Sequence, residues 1–174
     1  MARRSREQME KDEKKVISLL QKDSRDSVNQ MAEELGFSRQ KVWRIIKRLE
    51  KNNDIWGYTA VVDDDKVDQK KFVMLIKRSM QPGKKWVDKI TDLTMQKKGK
   101  KLGVDIEYSM FLNGEHDWLF ILSAKGLKEV KKFGEKLSEE YEGIIKEVEL
   151  LENVFTVEKR GVINPKIDEL KEFF

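Results

Sequence analysis

Apolar residues recur every three or four positions along the first part of the chain, which is the spacing of one helix face. The first group consists of Met9, Val16, Ile17 and Leu20, with charged residues filling many of the positions between them. This pattern predicts a first helix that ends near Lys22.

A second helix is predicted after Ser27, which begins the sequence Ser-Val-Asn-Gln. This is a capping box, in which the serine hydroxyl accepts a hydrogen bond from a first-turn amide and Gln30 reaches back to the cap. Gly36 supplies the positive φ that ends this helix, and Ser38 is a second N-cap after a short turn. Two helices joined so tightly cross steeply, as in a helix-turn-helix.

The third predicted helix has an apolar stripe and an outward polar face. The stripe is formed by Val42, Ile45, Ile46 and Leu49, which fall at i, i+3, i+4 and i+7. The outward side chains are those of Arg39, Gln40, Trp43, Arg44 and Lys47. An outward indole is costly to leave in water, so Trp43 should be covered by a partner, either DNA or a neighbouring domain.

The excess positive charge of the chain is confined to its first third. Residues 1–60 contain 14 Lys or Arg against 10 Asp or Glu, whereas the remaining residues contain 22 of each. Within this third, the segment 38–53 has six basic residues and a single acidic one, Glu50. A basic helix that follows a tight turn favours contact with the phosphates of DNA over a merely solvated surface.

The segment after the third helix carries a family resemblance. Asn52 and Asn53 suit a left-handed helix exit, and residues 54–63 predict a strand that serves as a wing or a connector. The order Leu-Gly-Phe-Ser-Arg, then Val-Trp-Arg-Ile-Ile-Lys-Arg-Leu-Glu, then Ile-Trp-Gly-Tyr-Thr-Ala-Val-Val-Asp resembles the Lrp/AsnC, or feast/famine, regulators of bacteria and archaea. The resemblance implies a transcription regulator with a winged-type helix-turn-helix followed by a βαββαβ effector domain.

The periodicity of the second half also predicts the order β, α, β, β, α, β of a ferredoxin-like unit, so the fold class is α+β. Strands are expected at Phe72–Ile76, Val104–Leu112, Trp118–Leu122 and Val148–Val157. Turns are expected at Pro82-Gly83 and Asn113-Gly114. Helix faces are indicated by Trp86, Ile90 and Leu93, and by Leu127, Val130, Phe133, Leu137 and Tyr141.

These elements divide the chain into four parts. A helix-turn-helix domain with its connector strand is predicted at 1–62, a linker at 63–71, a ferredoxin-like effector and oligomerisation domain at 72–161, and a C-terminal helical extension at 162–174. The linker offers little to bury. The extension begins with Asn164 as cap and Pro165 at the first helical position, and its apolar residues pack on the parent domain or form an assembly contact.

One further segment, Lys97–Leu102, lengthens the connection between the first helix and the second strand of this domain. It departs from the pattern of the family that the chain resembles. We interpret it either as a mobile cationic loop or as a change in the contact with a neighbouring subunit.

The helix-turn-helix predicts a division of DNA contacts. The residues assigned to base edges in the major groove are Arg39, Gln40, Trp43 and Arg44, since the N-terminal part of a recognition helix lies deepest. Lys47, Arg48 and Ser27 are assigned to phosphates, and Ser38 completes the predicted DNA-binding set. Because a lone helix-turn-helix buries little surface on double-stranded DNA, a homodimer is expected, and the resemblance implies further assembly such as an octamer.

The resemblance also implies a small-molecule effector, an amino acid or a related metabolite. The sequence Asn113-Gly-Glu-His-Asp-Trp is similar to the family's glycine and aspartate turn near an inter-subunit pocket. Gly114, His116 and Asp117 are therefore candidate effector-binding residues. The alternative is structural, with a turn at Gly114, a cap at Asp117 and a solvated His116.

Composition excludes several classes of site. Without Cys, and with His116 as the only His, the chain cannot form disulfides, thiolate metal sites or multi-histidine metal sites, and no metal or cofactor is predicted. No phosphate-cradling glycine loop supports the rival hypothesis of an enzyme on the second domain. No apolar run is long enough to span a membrane, so a cytoplasmic protein is expected. An architectural DNA-binding protein with little sequence preference is the alternative to a site-specific regulator.

Overall fold

The computed structural model describes the backbone of residues 2–79 and 85–173 and the side chains of residues 5–79 and 86–173. The chain forms two units, residues 1–61 and residues 62–174, and each has a hydrophobic core of its own. Among the described residues, no helix is long and apolar enough to cross a membrane.

The first unit consists of three helices, α1 (Ala2–Lys22), α2 (Val28–Leu35) and α3 (Arg39–Lys51). Their apolar faces meet in one core, formed by Val16, Leu19, Met31, Ala32, Val42, Ile45, Ile46 and Leu49. The predicted helices and the apolar stripe of α3 are confirmed, because each stripe residue of α3 is buried.

Local capping sets the bounds of α2 and the start of α3, as predicted. The Ser27 hydroxyl accepts a hydrogen bond from the Gln30 amide at 3.2 Å, and the Gln30 side chain accepts one from the Ser27 amide at 2.8 Å. Gly36 ends α2 at φ 63°, in the left-handed region that costs glycine little. The Ser38 hydroxyl accepts from the Lys41 amide at 3.2 Å and begins α3 only two residues later.

The prediction of a strand at 54–63 is wrong. Asn53 leaves α3 at φ 61°, as expected, and the amides of Asp54 and Ile55 bond back to the Leu49 carbonyl. Residues 56–63 then carry no helix or strand. A strand needs a hydrogen-bonded neighbour, and the described residues of this unit provide none for this segment.

The main elements of the second unit are β1 (Lys70–Arg78), α4 (Lys85–Thr91), α5 (Thr94–Leu102), β2 (Val104–Phe111), β3 (Trp118–Ala124), α6 (Leu127–Glu140) and β4 (Ile145–Glu152). The strands form a four-stranded sheet with the order β2-β3-β1-β4, in which all neighbours are antiparallel. This order and topology confirm the ferredoxin-like prediction. The predicted linker at 63–71 lies wholly within this unit, where it contains a 3-10 helix, Asp64–Val67, and the start of β1.

The helices of this unit cover one face of the sheet. The core there contains Phe72, Met74, Ile76, Met95, Trp118, Phe120, Leu122, Val130, Phe133 and Leu137. The residues that alternate with these along β1 and β3, such as Val73, Leu75, Leu119 and Ile121, lie on the opposite face and are only half-buried.

The strand expected at Val104–Leu112 contains a bulge at Glu107, between Ile106 and Tyr108, which interrupts the alternation of its side chains. At this position the Glu107 carboxylate contacts Ser123 of the adjacent strand β3 and Lys71 of β1, the strand beyond it. After the bulge, the residues of β2 point to the opposite face of the sheet from the one that an unbroken alternation would give. Phe111 therefore lies on the same face as Trp118 and stacks on it, with 5.0 Å between the ring centroids.

Two predictions about the connection between β1 and β2 are wrong, and one lies outside the described residues. The cationic segment Lys97–Leu102 is not a loop but most of α5, and its Gly99 packs against Phe133. Leu93 is not on a helix face, because it lies at φ 54° between α4 and α5 and is exposed. The turn at Pro82-Gly83 falls on residues that the structure does not describe.

The chain after Glu152 differs from the predicted long strand. β4 ends there rather than at Val157, and a short hairpin follows, formed by β5 (Glu158–Lys159) and β6 (Val162–Ile163). The predicted helical extension contains a 3-10 helix, Ile167–Phe173. Asn164 caps the turn that leads into this helix, as predicted. Its side-chain oxygen accepts a hydrogen bond from the Lys166 amide at 2.8 Å.

Candidate nucleic-acid interface

The face of α3 opposite its buried stripe is open to solvent. The predicted base-contact residues Arg39, Gln40, Trp43 and Arg44 are all exposed, and so is Lys47. Trp43 is 53% exposed, which is unusual for so large an apolar side chain. The structure therefore places all five predicted outward residues together on one surface of the first unit.

Gln40, Arg44, Lys47 and Lys51 follow one another at i, i+4, i+7 and i+11, so they form a single polar row along this surface. The Arg44 guanidinium is folded along the helix, where its Nε donates to the Gln40 carbonyl at 3.2 Å. This row contains both the fork of an arginine and the amide of a glutamine, which are the side chains best suited to guanine and adenine edges.

A second contact lies at the C-terminal end of α3, where Glu50 joins two neighbours. Its carboxylate accepts from the Lys47 ammonium at 2.8 Å and from the Tyr58 hydroxyl at 3.1 Å. The Lys47 hydrogen bond is the main cause that lowers the pKa of Glu50, and burial together with Glu50 raises the pKa of Tyr58. Tyr58 thus ties the segment after α3 to the helix without forming a strand.

The third side of α3 faces α1. The Arg48 Nε donates to the Glu13 carboxylate at 2.7 Å, and the Lys41 ammonium lies 2.7 Å from an Asp12 oxygen. Arg48, predicted to contact phosphate, is therefore turned toward α1 in this structure. A groove of about 420 Å³ lies between the two helices, and Met9 lines it together with Lys41, Arg44 and Arg48.

Asp12 is a functional candidate that the sequence analysis missed. It is 6% exposed, and the Lys41 hydrogen bond lowers its pKa although burial acts in the opposite direction. The signal was present in the sequence, because Asp12 precedes Val16 by four residues and so falls on the buried side of α1.

The N-terminal ends of α2 and α3 present backbone amides to solvent. Ser27 and Ser38 are exposed, and the oxygen of each hydroxyl is engaged as a helix cap. Free first-turn amides at such an end suit a phosphate oxygen, so the two serines mark anion-binding ends rather than offer free hydroxyls.

In the second unit, the candidate effector residues are held in different ways. Asp117 accepts from the Arg78 amide at 2.7 Å and from the Arg78 guanidinium at 3.1 Å, and the backbone hydrogen bond is the main cause that lowers its pKa. The His116 Nε2 lies 3.4 Å from a Glu149 carboxylate oxygen. Gly114 is exposed, and a Cβ added to it would meet nothing within 4 Å.

Comparison with known proteins adds to this geometry. Residues 11–53 match the family model described as winged helix-turn-helix DNA-binding. These residues contain most of α1 and all of α2 and α3. No curated protein is significantly similar to the chain in sequence.

Solved structures with the same fold cover most of the chain. An AsnC family transcriptional regulator from Agrobacterium tumefaciens has a TM-score of 0.65 at 20% identity, covering 84% of this chain and 91% of its own. The transcriptional regulator NMB0573 from Neisseria meningitidis, solved with L-Met, has a TM-score of 0.63 at 15% identity, covering 87% and 94%. The feast or famine regulatory protein Rv3291c from M. tuberculosis, complexed with L-methionine, has a TM-score of 0.63 at 14% identity, covering 84% and 92%.

The first unit therefore has the three-helix arrangement that the matched helix-turn-helix model describes. The chain as a whole has the fold of solved Lrp/AsnC-type regulators, which confirms the fold expected from the resemblance.

Proposed function

We propose that the chain is a sequence-specific DNA-binding transcriptional regulator of the Lrp/AsnC kind. The observation that supports this most directly is the exposed row on α3, which lies within the matched helix-turn-helix and carries hydrogen-bonding side chains suited to base edges. Such a regulator would act in the cytoplasm, where the chromosome of a bacterium or archaeon lies.

In this proposal α3 enters the major groove. Gln40 and Arg44, with Arg39 and Trp43 beside them, meet base edges, because they lie toward the N-terminal end of the helix. Lys47 contacts a phosphate. The first-turn amides that follow the exposed caps Ser27 and Ser38 receive phosphates at the helix ends.

The protein is proposed to act as a homodimer, since two symmetric half-sites supply the specificity that one helix-turn-helix lacks. The half-buried sheet face around Val73, Leu75 and Ile121 is the surface that we assign to a second copy. This face combines apolar residues with the ionic contacts of Lys77 to Glu115 and Glu147, a composition that a symmetric partner can match. The resemblance to Lrp/AsnC regulators also supports the assembly of dimers into a larger oligomer, such as an octamer.

An amino acid is the proposed effector. Two of the solved structures that share the fold were obtained with methionine, and the candidate site in this chain is the turn that carries Gly114 and His116. Both carboxylate oxygens of Asp117 accept hydrogen bonds from Arg78. Asp117 therefore stabilises the turn, and Gly114 and His116 contact the ligand.

The interface on α3 can be tested by fluorescence anisotropy of labelled duplex DNA with the full chain. The triple variant Arg39→Ala/Arg44→Ala/Lys47→Ala should bind more than tenfold more weakly than the native chain, because each lost cation removes a phosphate or base contact. A matched control removes three exposed lysines of α6, through Lys128→Ala/Lys131→Ala/Lys132→Ala. Equal losses in both triple variants would contradict the assignment of the interface to α3.

A further inference from the structure

Two adjacent carboxylates of α1 each hold one cation of α3. Asp12 lies 2.7 Å from the Lys41 ammonium, and Glu13 lies 2.7 Å from the Arg48 Nε. Both acids are largely covered, with side-chain exposures of 9% for Asp12 and 18% for Glu13. The carboxylate of each pair thus belongs to the packing between α1 and α3, while the cation is partly exposed, at 40% for Lys41 and 35% for Arg48.

Each of these cations has a second contact besides its carboxylate. The Lys41 ammonium lies 3.6 Å from the centroid of the Phe37 ring in the turn before α3. An Arg48 guanidinium nitrogen lies 2.8 Å from the Met9 sulfur. Among the described side chains, by contrast, no carboxylate forms an ion pair with Arg39 or Arg44, and both are exposed.

Releasing Lys41 to a phosphate would leave the covered Asp12 carboxylate with the neutral Gln8 amide, at 3.0 Å, as its donor and without its paired cation. A covered carboxylate that loses its partner is costly, so this lysine is retained by α1 when DNA approaches. The same reasoning applies to Arg48 and Glu13. Of the six cations in the segment 38–53, two are therefore withheld from the phosphates by α1.

Electrostatic contacts to phosphates raise affinity for every sequence equally, whereas base contacts discriminate between sequences. We infer that Asp12 and Glu13 are specificity-determining positioning residues, an inference that rests on the proposed function. They hold Lys41 and Arg48 against α1, keep the affinity for random DNA low and so raise the ratio of specific to non-specific binding.

The experiment compares Asp12→Asn and Glu13→Gln with the native chain, using random duplex DNA at several salt concentrations. Each variant should bind random DNA several-fold more tightly at low salt. Each should steepen the slope of log K against log[salt] by about 0.9, the value for one additional phosphate contact. The ratio of affinities for a selected site and for random DNA should fall.

Two controls separate this role from simple charge or folding effects. Glu10→Gln makes the same charge change on α1, but Glu10 pairs with Arg6 of the same helix at 3.4 Å, so its salt slope should stay near the native value. Adding Lys41→Gln to Asp12→Asn should return the slope to the native value. Glu13→Gln leaves the Asp12 pair in place and so tests the inference even where Asp12→Asn impairs folding.

An unchanged or flatter slope for both single variants, in a native chain that binds DNA, would overturn this inference alone and leave a purely structural role for the pairs. A native chain that binds no duplex DNA would overturn the proposed function and this inference with it. An equal steepening by Glu10→Gln would also overturn the inference, because net charge would then explain the effect.

Discussion

The carboxylate of Asp12 and the ammonium of Lys41 lie 2.7 Å apart, and this pair joins the first helix of the first unit to its recognition helix. The Lys41 hydrogen bond lowers the pKa of Asp12 in the folded chain. A lowered pKa favours the ionised carboxylate. The pair therefore stabilises the folded chain at pH values above the pKa that Asp12 has in the unfolded chain.

The first prediction is that Lys41→Gln reduces the free energy of unfolding of the first unit by about 1–3 kcal/mol at pH 7, because a covered carboxylate loses its charged donor. The difference from the native chain should be greatest well above pH 3.8, the ordinary pKa of Asp, and should shrink as the pH falls through that value toward the lowered pKa of Asp12 in the folded chain. Urea unfolding at a series of pH values measures this. A difference that is constant with pH would contradict the role of Asp12.

The second prediction concerns two glycines in helices of the second unit. In Gly99→Ala, the added Cβ would lie 2.9 Å from the Val104 carbonyl oxygen, which is backbone and cannot move aside alone. This variant should lose about 1–3 kcal/mol of stability, although alanine is the better helix former. The unfolding midpoint in urea measures the loss.

Gly134→Ala is the matched control for this prediction. Its Cβ would meet only the end of the flexible Met74 side chain, at 3.2 Å. Since that methyl group can rotate away, the gain in helix propensity, up to about 1 kcal/mol, should offset the contact. Equal destabilisation by both glycine variants would show that the close approach of Gly99 to the Val104 carbonyl is not the reason that glycine is needed at position 99.

The third prediction separates two residues of the exposed row on α3. Arg44→Ala should cost about 1–3 kcal/mol at a cognate site and relax the preference at one base pair. Lys47→Ala should weaken binding to all sequences alike and flatten the salt slope by about 0.9. Anisotropy titrations on cognate and random duplexes distinguish the two, and an equal loss for both variants on random DNA would refute the division of roles.

The fourth prediction concerns the effector. An amino acid at about 100 times its dissociation constant should stabilise the chain by roughly 2.7 kcal/mol, which a thermal shift against the twenty amino acids detects. Gly114→Ala should reduce that shift while leaving the unliganded melting temperature unchanged, because its methyl group meets no neighbour. If none of the twenty amino acids shifts the melting temperature, the proposed site has no support.

The features that the sequence predicts best are those fixed by neighbours in the chain. The caps at Ser27 and Ser38 and the exit at Asn53 depend on residues within a few positions, so their patterns are readable directly. The order of strands and helices is readable for the same reason, because each element has its own period.

The features that escape the sequence depend on partners that are distant in the chain. The bulge at Glu107 is recognised only once Lys71 and Ser123 are known to flank it. Similarly, the basic residues of α3 look equivalent in sequence, and only the packing of α1 shows that Arg48 faces Glu13 while Arg44 faces solvent.

Selection of bound duplexes from a random DNA pool with the full chain tests the central proposal most directly. A site-specific dimeric regulator should enrich one motif with two-fold symmetry, whose half-sites lie about one helical turn apart or a multiple of that distance. Failure to enrich any motif, in a chain that still binds random DNA, would contradict the proposal and favour an architectural DNA-binding protein.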